Sequence, residues 1–263
     1  MTQFDNDIAL SAGPAGTFGA EISPRWSIND NPDGGYLMAL LAEAVRIRSD
    51  KPWPAIITAN FIARCRPGPA EIKTSRLGSS RSFERWQAEL LQEGQAKIRV
   101  LGTMIDRQAE AEKRYELPPP EMAAREKCFS FPGFPAYTLF EQMDVRLDPD
   151  CAGCLSGGAL AEKSEFRGWI SFREERDFDP AAILLAADSF PPPVLASHGM
   201  VAWVPTIEMS VNIRNMPQSR WLKAVFRSSF INNGIVEEDG QLWDETGELI
   251  AISRQIAHYR RNQ

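Results

Sequence analysis

Histidine and cysteine are scarce in this chain: two histidines and four cysteines among 263 residues. With only His198 and His258, and no Gly-x-Ser-x-Gly elbow, the sequence argues against a Ser-His-Asp hydrolase. Cys151 and Cys154 are spaced as C-x-x-C, but within an Asp- and Gly-rich loop instead of the strand-to-helix junction of a redox site. A structural zinc would need two further ligands, and Cys65 and Cys128 are scattered; no metal or cofactor is expected. No glycine pattern of the nucleotide-binding kind follows a strand. Positive charge is also in deficit. Lysine and arginine number 29 against 35 acidic residues, a net charge of −6, which excludes a broad nucleic-acid footprint while allowing one anionic ligand on a local Arg cluster. No run reaches the roughly 20 apolar residues of a membrane helix. The opening segment, Met1 to Asp7, lacks the basic and apolar regions of a signal peptide. The expected setting is therefore cytoplasmic, away from membranes, with reduced cysteines.

What the chain does contain is a worn internal repeat. Each half carries an apolar helix-like run, then an alternating strand, then further strands. The first copy reads Gly34 to Leu41 followed by Ile57 to Arg64; the second reads Ala181 to Asp188 followed by Thr206 to Ile213. Thr58 corresponds to Thr206 and Arg66 to Arg214 at one offset. Only the second copy ends its apolar run on a carboxylate, Asp188.

The expected elements follow from periodicity and turn residues. Thr17 to Ser27 reads as an opening strand. Asp33 is placed to cap a helix from Gly34 to about Arg48, with an apolar surface wide enough for burial on most sides. Strands are expected at 55–66, 70–79, 83–92 and 96–106. The charged, proline-rich stretch 108–135 reads as a linker between halves 1–107 and 136–263, with a short helix near 119–126. The second half should hold strands at 138–147 and 165–174, and a helix from Asp179 to about Phe190 stopped by Pro191 to Pro193. Strands at 201–214, 219–230, 236–243 and 248–260 complete it, with a hairpin at either Asp239-Gly240 or Glu245-Thr246-Gly247. One buried helix per half, wrapped by antiparallel strands, is an α+β layout.

Three stretches together carry a family resemblance. The first is Trp26 with Asn31-Pro32-Asp33-Gly34-Gly35-Tyr36, and the second is Ala187-Asp188 with Pro205-Thr206-Ile207-Glu208-Met209-Ser210. The third runs from Asp244-Glu245-Thr246-Gly247 to Arg254-Gln255. Over nearly its whole length the chain resembles the double hot-dog thioesterases of the acyl-CoA thioesterase II group. That resemblance implies two antiparallel sheets, each wrapped around a central helix. It implies hydrolysis of acyl-CoA to free acid and CoA, and a water-activating trio falling on Asp188, Thr206 and Gln255. Exposed sheet faces in this fold suit pairing, so a homodimer is one expected assembly.

The residues admit both functional and purely local readings. Asp188 ends an apolar run, where burial would raise its pKa and suit a base; the alternative is a solvated carboxylate in a helix-ending turn. Thr206 shares strand parity with Glu208, Asn212 and Arg214, so reaching a site requires a strand edge, a domain seam or a bulge. Gln255 shares a face with Leu249, Ala251, Ser253 and Ala257, where a buried amide needs partners. Gly34 and Gly35 open the first helix and are expected to offer N–H groups to an oxyanion. Glu43 stands near the counterpart of Asp188 as a second candidate base. Arg64, Arg66, Arg214 and Arg254 are candidates for the CoA phosphates. Two further functions stay open on the same fold: an enoyl-CoA hydratase-like enzyme, although Asp30-Asn31-Pro32 lacks the spacer and the His of that pattern, and a non-catalytic acyl-CoA binder.

Overall fold

The computed structural model describes residues 1–14, 16–106 and 112–261; part of the expected linker, 108–111, lies outside them. Eleven strands of five residues or more carry the fold, interleaved with two central helices. In chain order they are β1 (Thr17–Ile22), α1 (Gly34–Arg48), β2 (Trp53–Phe61), β3 (Gly68–Ser79), β4 (Phe83–Gln92) and β5 (Gln95–Ile105), then β6 (Met143–Leu147), β7 (Glu165–Phe172), α2 (Pro180–Ala186), β8 (Thr206–Ile213), β9 (Leu222–Arg227), β10 (Ile235–Asp244) and β11 (Leu249–His258).

The strands form one antiparallel sheet in the order β1-β3-β4-β5-β2-β8-β11-β10-β9-β7-β6, extended at its ends by two-residue strands. The expectation of two separate sheets is corrected here. β2 and β8, the first strands after each helix, pair with each other, Thr58 opposite Ser210 and Asn60 opposite Glu208. The hydroxyls of Thr58 and Ser210 hydrogen-bond across this seam at 2.8 Å. Each half left alone would expose a strand edge there, and pairing the two edges removes that liability. The strand order on either side of the seam is the same, as the internal repeat in the sequence requires.

The helices share their opening chemistry and differ in length. Asp33 caps α1 by accepting from the Tyr36 N–H at 3.0 Å, and Asp179 caps α2 by accepting from the Ala182 N–H at 2.8 Å. α1 runs fifteen residues with Arg46 and Arg48 in its last turn, where cations complement the helix dipole. Tyr36, Met38, Leu40, Leu41 and Val45 are fully buried, so α1 lies under β2 to β5 and against α2. Replacing one such leucine by alanine would cost about 2–5 kcal/mol. α2 has seven residues. It stops short of the expected Phe190 because Ser189 Oγ caps the Leu185 carbonyl at 2.7 Å and three prolines follow.

Other boundaries moved by a few residues. The opening strand ends at Ile22, and 139–142 forms a helical turn before β6. The expected short helix is a single 3₁₀ turn, Arg125–Lys127. The β10–β11 hairpin turns at Glu245 to Gly247. Gly240 lies inside β10, where the Phe226 ring packs so closely that a Cβ would stand 2.5 Å from it.

Candidate active site

Asp188 sits two residues beyond α2, where the last turn of that helix crosses the first turn of α1. Its Oδ2 accepts from the Gly35 N–H at 3.0 Å. The crossing is tight enough to demand glycine. A Cβ on Gly34 would stand 2.6 Å from Asp188 Oδ2 and 2.9 Å from the Phe61 ring. One on Gly35 would press into the Leu184 carbonyl and approach Leu185 Cα to 2.9 Å. The N–H groups expected to face an oxyanion are thus turned to the carboxylate: the positive end of α1 holds Asp188. In this structure the Gly35 N–H, an expected oxyanion donor, is taken by Asp188.

Removal from water raises the Asp188 pKa from 3.8 to about 7, with the Gly35 and Gly34 N–H groups pulling the other way. Asp33 lies beside it. Burial first, and then the Asp188 charge, push its carboxyl well above the ordinary range. Apolar walls and a neighbouring carboxyl both disfavour the charged form of such a group.

These groups open on a cavity of about 570 Å³ between the halves, which Asp188, Thr206 and Gln255 all line. Its apolar surface includes Leu37, Phe61, Phe131, Phe140, Phe190 and Leu195. Thr206 reaches the cavity through a register shift between Thr206 and Glu208 in the β8–β11 pairing, which answers the parity conflict in the sequence: a bulge re-aims the strand start. Gln255 is 5% exposed, and its Oε1 is buried without a hydrogen-bond partner among the described residues.

One lining residue escaped the sequence reading. Glu238 on β10 lies directly opposite Gln255 on β11, is 9% exposed, and has its pKa raised well above the usual carboxylate value by burial, then by Asp188 and Asp239. The available signal was the alternation of β10, which places Val236, Glu238 and Leu242 on the buried face. Glu43, the second candidate base, instead pairs with Arg46 at 2.6 Å on the outer side of α1. Nine residues beyond the Asp33 cap stands Ala42, whereas nine beyond the Asp179 cap stands Asp188.

Of the arginine candidates, Arg64 lines the cavity. Arg66 and Arg214 are exposed and do not line it. Arg254 points to the opposite sheet face from Gln255 and holds Asp239 through two bonds of 2.7 and 2.6 Å. Arg260 and His258, unassigned from sequence, do line the cavity. Among the described residues no group of three or more His, Cys, Asp or Glu is arranged to hold a metal, and no helix is long and apolar enough to cross a membrane.

The chain resembles known proteins along its whole length. A crystal structure from Thermobifida fusca, described as a candidate thioesterase II, superposes with a TM-score of 0.91 and 27% identity, covering 99% of this chain and 98% of that one. A hot-dog protein of unknown function from Alicyclobacillus acidocaldarius gives 0.90 and 20% identity, with full coverage of both (100% and 100%). An uncharacterised protein of Mycobacterium tuberculosis is 23% identical, over 91% of this chain and 90% of its own. Residues 22–105 match the acyl-CoA thioesterase N-terminal domain and residues 115–259 the acyl-CoA thioesterase C-terminal domain. With both domains matched in order along one polypeptide, the chain belongs to the acyl-CoA thioesterase family.

Proposed function

We propose that the protein hydrolyses an acyl-CoA thioester to free acid and CoA, with Asp188 as the general base for the attacking water. The observation that carries this reading is a buried carboxylate, fixed at the start of α1 and lining the same largely apolar cavity as Thr206 and Gln255, where removal from water raises its pKa to about 7. A base is most effective when its pKa lies near the working pH. Thr206 can both donate to and accept from the water, and the Gln255 amide can hold the water or donate to the carbonyl oxygen as charge develops on it. The apolar walls suit an acyl chain. Arg64, with Arg260 also on the cavity lining, supplies cations for the CoA phosphates.

The test is thiol release from a series of acyl-CoAs of increasing length. Asp188→Asn is expected to lower kcat/KM by about 10²–10⁴-fold with the fold retained. In the wild type kcat/KM should climb with pH through about 7 as the base loses its proton. An undiminished rate in Asp188→Asn would overturn the mechanism. Tight binding without hydrolysis of any chain length would leave a binding protein.

A further inference from the structure

The function above uses Asp188, Thr206 and Gln255 and leaves Glu238 without a task. Its position is specific. Directly opposed residues of an antiparallel pair project to the same face with Cβ atoms about 4.5–5.5 Å apart, and Glu238 and Gln255 are such a pair. Both are more than nine-tenths buried, and both line the cavity. One of them carries a buried acceptor, Gln255 Oε1, that no donor reaches among the described residues. A buried polar atom left unpaired is costly, because it gives up its hydrogen bonds to water and gains none in return. An ionised glutamate could only accept, and would set an unpaired charge beside an unpaired carbonyl oxygen. A protonated one is a donor at the right place.

Resting on the thioesterase reading, we propose that Glu238 is a positioning residue: its carboxyl keeps its proton and donates it in a hydrogen bond to Gln255 Oε1, which fixes the amide with its NH₂ group turned into the cavity as a donor to the thioester carbonyl oxygen. With the Gly35 N–H held by Asp188, the Gln255 amide is then a principal source of positive potential for the oxyanion. The surroundings favour the neutral form of Glu238. The Asp188 charge from beyond the end of α2 and the Asp239 charge on its own strand both act on it, and Asp33 lines the same cavity. The cations nearby are engaged or peripheral: Arg254 is bound to Asp239 on the other sheet face, Arg227 is bound to Glu165, and Arg260 Nε donates to His258 Nδ1 at 2.8 Å, with Arg64 elsewhere on the cavity lining.

The test combines kinetics with infrared spectroscopy. Glu238→Gln keeps a donor opposite Gln255 and is expected to hold kcat within about threefold of wild type, while removing the fall in kcat at alkaline pH that deprotonation of Glu238 causes. Glu238→Leu removes the donor and should lower kcat by about 10²-fold, the cost of a misplaced catalytic group, with KM little changed. The difference spectrum of wild type minus Glu238→Gln at neutral pH should show a protonated-carboxyl C=O stretch distinct from those of Asp188 and Asp33, and that band should shift in Gln255→Leu. That band decides the proposal whether or not any thioester is hydrolysed. If it is absent from the wild type, or unmoved by Gln255→Leu, the proposal fails; so does equal loss of kcat in the Gln and Leu variants. A wild type that shows the band yet hydrolyses nothing overturns the thioesterase reading and leaves the Glu238–Gln255 bond standing.

Discussion

Asp188 is held where its charged form is unwelcome, and that has a consequence for stability as well as for reactivity. Its folded-state pKa of about 7 lies above the unfolded value of 3.8, so the folded chain binds this proton more tightly than the unfolded one. Below about pH 4 both states carry it and the residue is neutral in its effect. As pH rises from about 4 to 7 the unfolded state ionises first and stability is lost; above 7 the loss is complete. Asp188→Asn, which still accepts from the Gly35 N–H, should therefore melt above the wild type at pH 8, by roughly 3–8 °C. The difference should shrink steadily toward pH 4. Thermal melts of the two proteins across that range check this, and a constant difference would show that the carboxyl is not shifted. Greater stability with lower activity is the usual exchange at a site built around a strained or buried group.

At the scale of elements, the site depends on how closely two helix ends approach. Gly35→Ala would set a methyl group against the Leu184 carbonyl and Leu185 Cα, and overpacking of this kind costs about 1–3 kcal/mol. The expected result is a Tm lowered by about 3–10 °C together with reduced turnover, because the displaced end of α2 carries Asp188. A variant as stable and as active as the wild type would mean that the helices can separate at no cost. α1 was legible from sequence to its last residue, since a cap, a wide apolar surface and a Leu/Ala-rich run all agree. α2 was less so. The end of its helix is set by Ser189 turning back on Leu185, a contact that periodicity does not announce. Thr206 shows what sequence can and cannot supply. Its parity pointed away from the core, and only the β8–β11 register shift, a pairing irregularity between strands distant in sequence, turns it toward the cavity.

For the molecule as a whole, the two halves repeat the fold but not the site. The fourth residue of β10 is Glu238, opposite Gln255; the fourth residue of β4 is Trp86, opposite Gly102. Trp86 is 4% exposed and its indole N–H donates to Glu84 at 2.9 Å. The first half thus buries an indole ring at the fourth position of its strand, where the second half has Glu238, and Ala42 stands nine residues beyond its helix cap, where the second half has Asp188. A non-hydrolysable acyl-CoA analogue titrated calorimetrically should bind at one per chain; a stoichiometry of two would show that the first half retains a working pocket. The repeat itself could be read from the sequence, because helix and strand patterns survive divergence. The single sheet could not, because edge pairing between β2 and β8 is set by tertiary closure and not by either strand's own pattern.

The five-residue helix Gln3–Asp7 ties the beginning of the chain to its second half. Phe4 is fully enclosed and packs against Trp26 and Phe172, with the Arg176 guanidinium over its ring and bonded to Asp5 at 2.9 Å. Arg176 stands 171 positions beyond Asp5, so this short helix has no seat until the second half of the chain has folded around it. It is among the last pieces to dock, like a latch that fastens only once the door has closed.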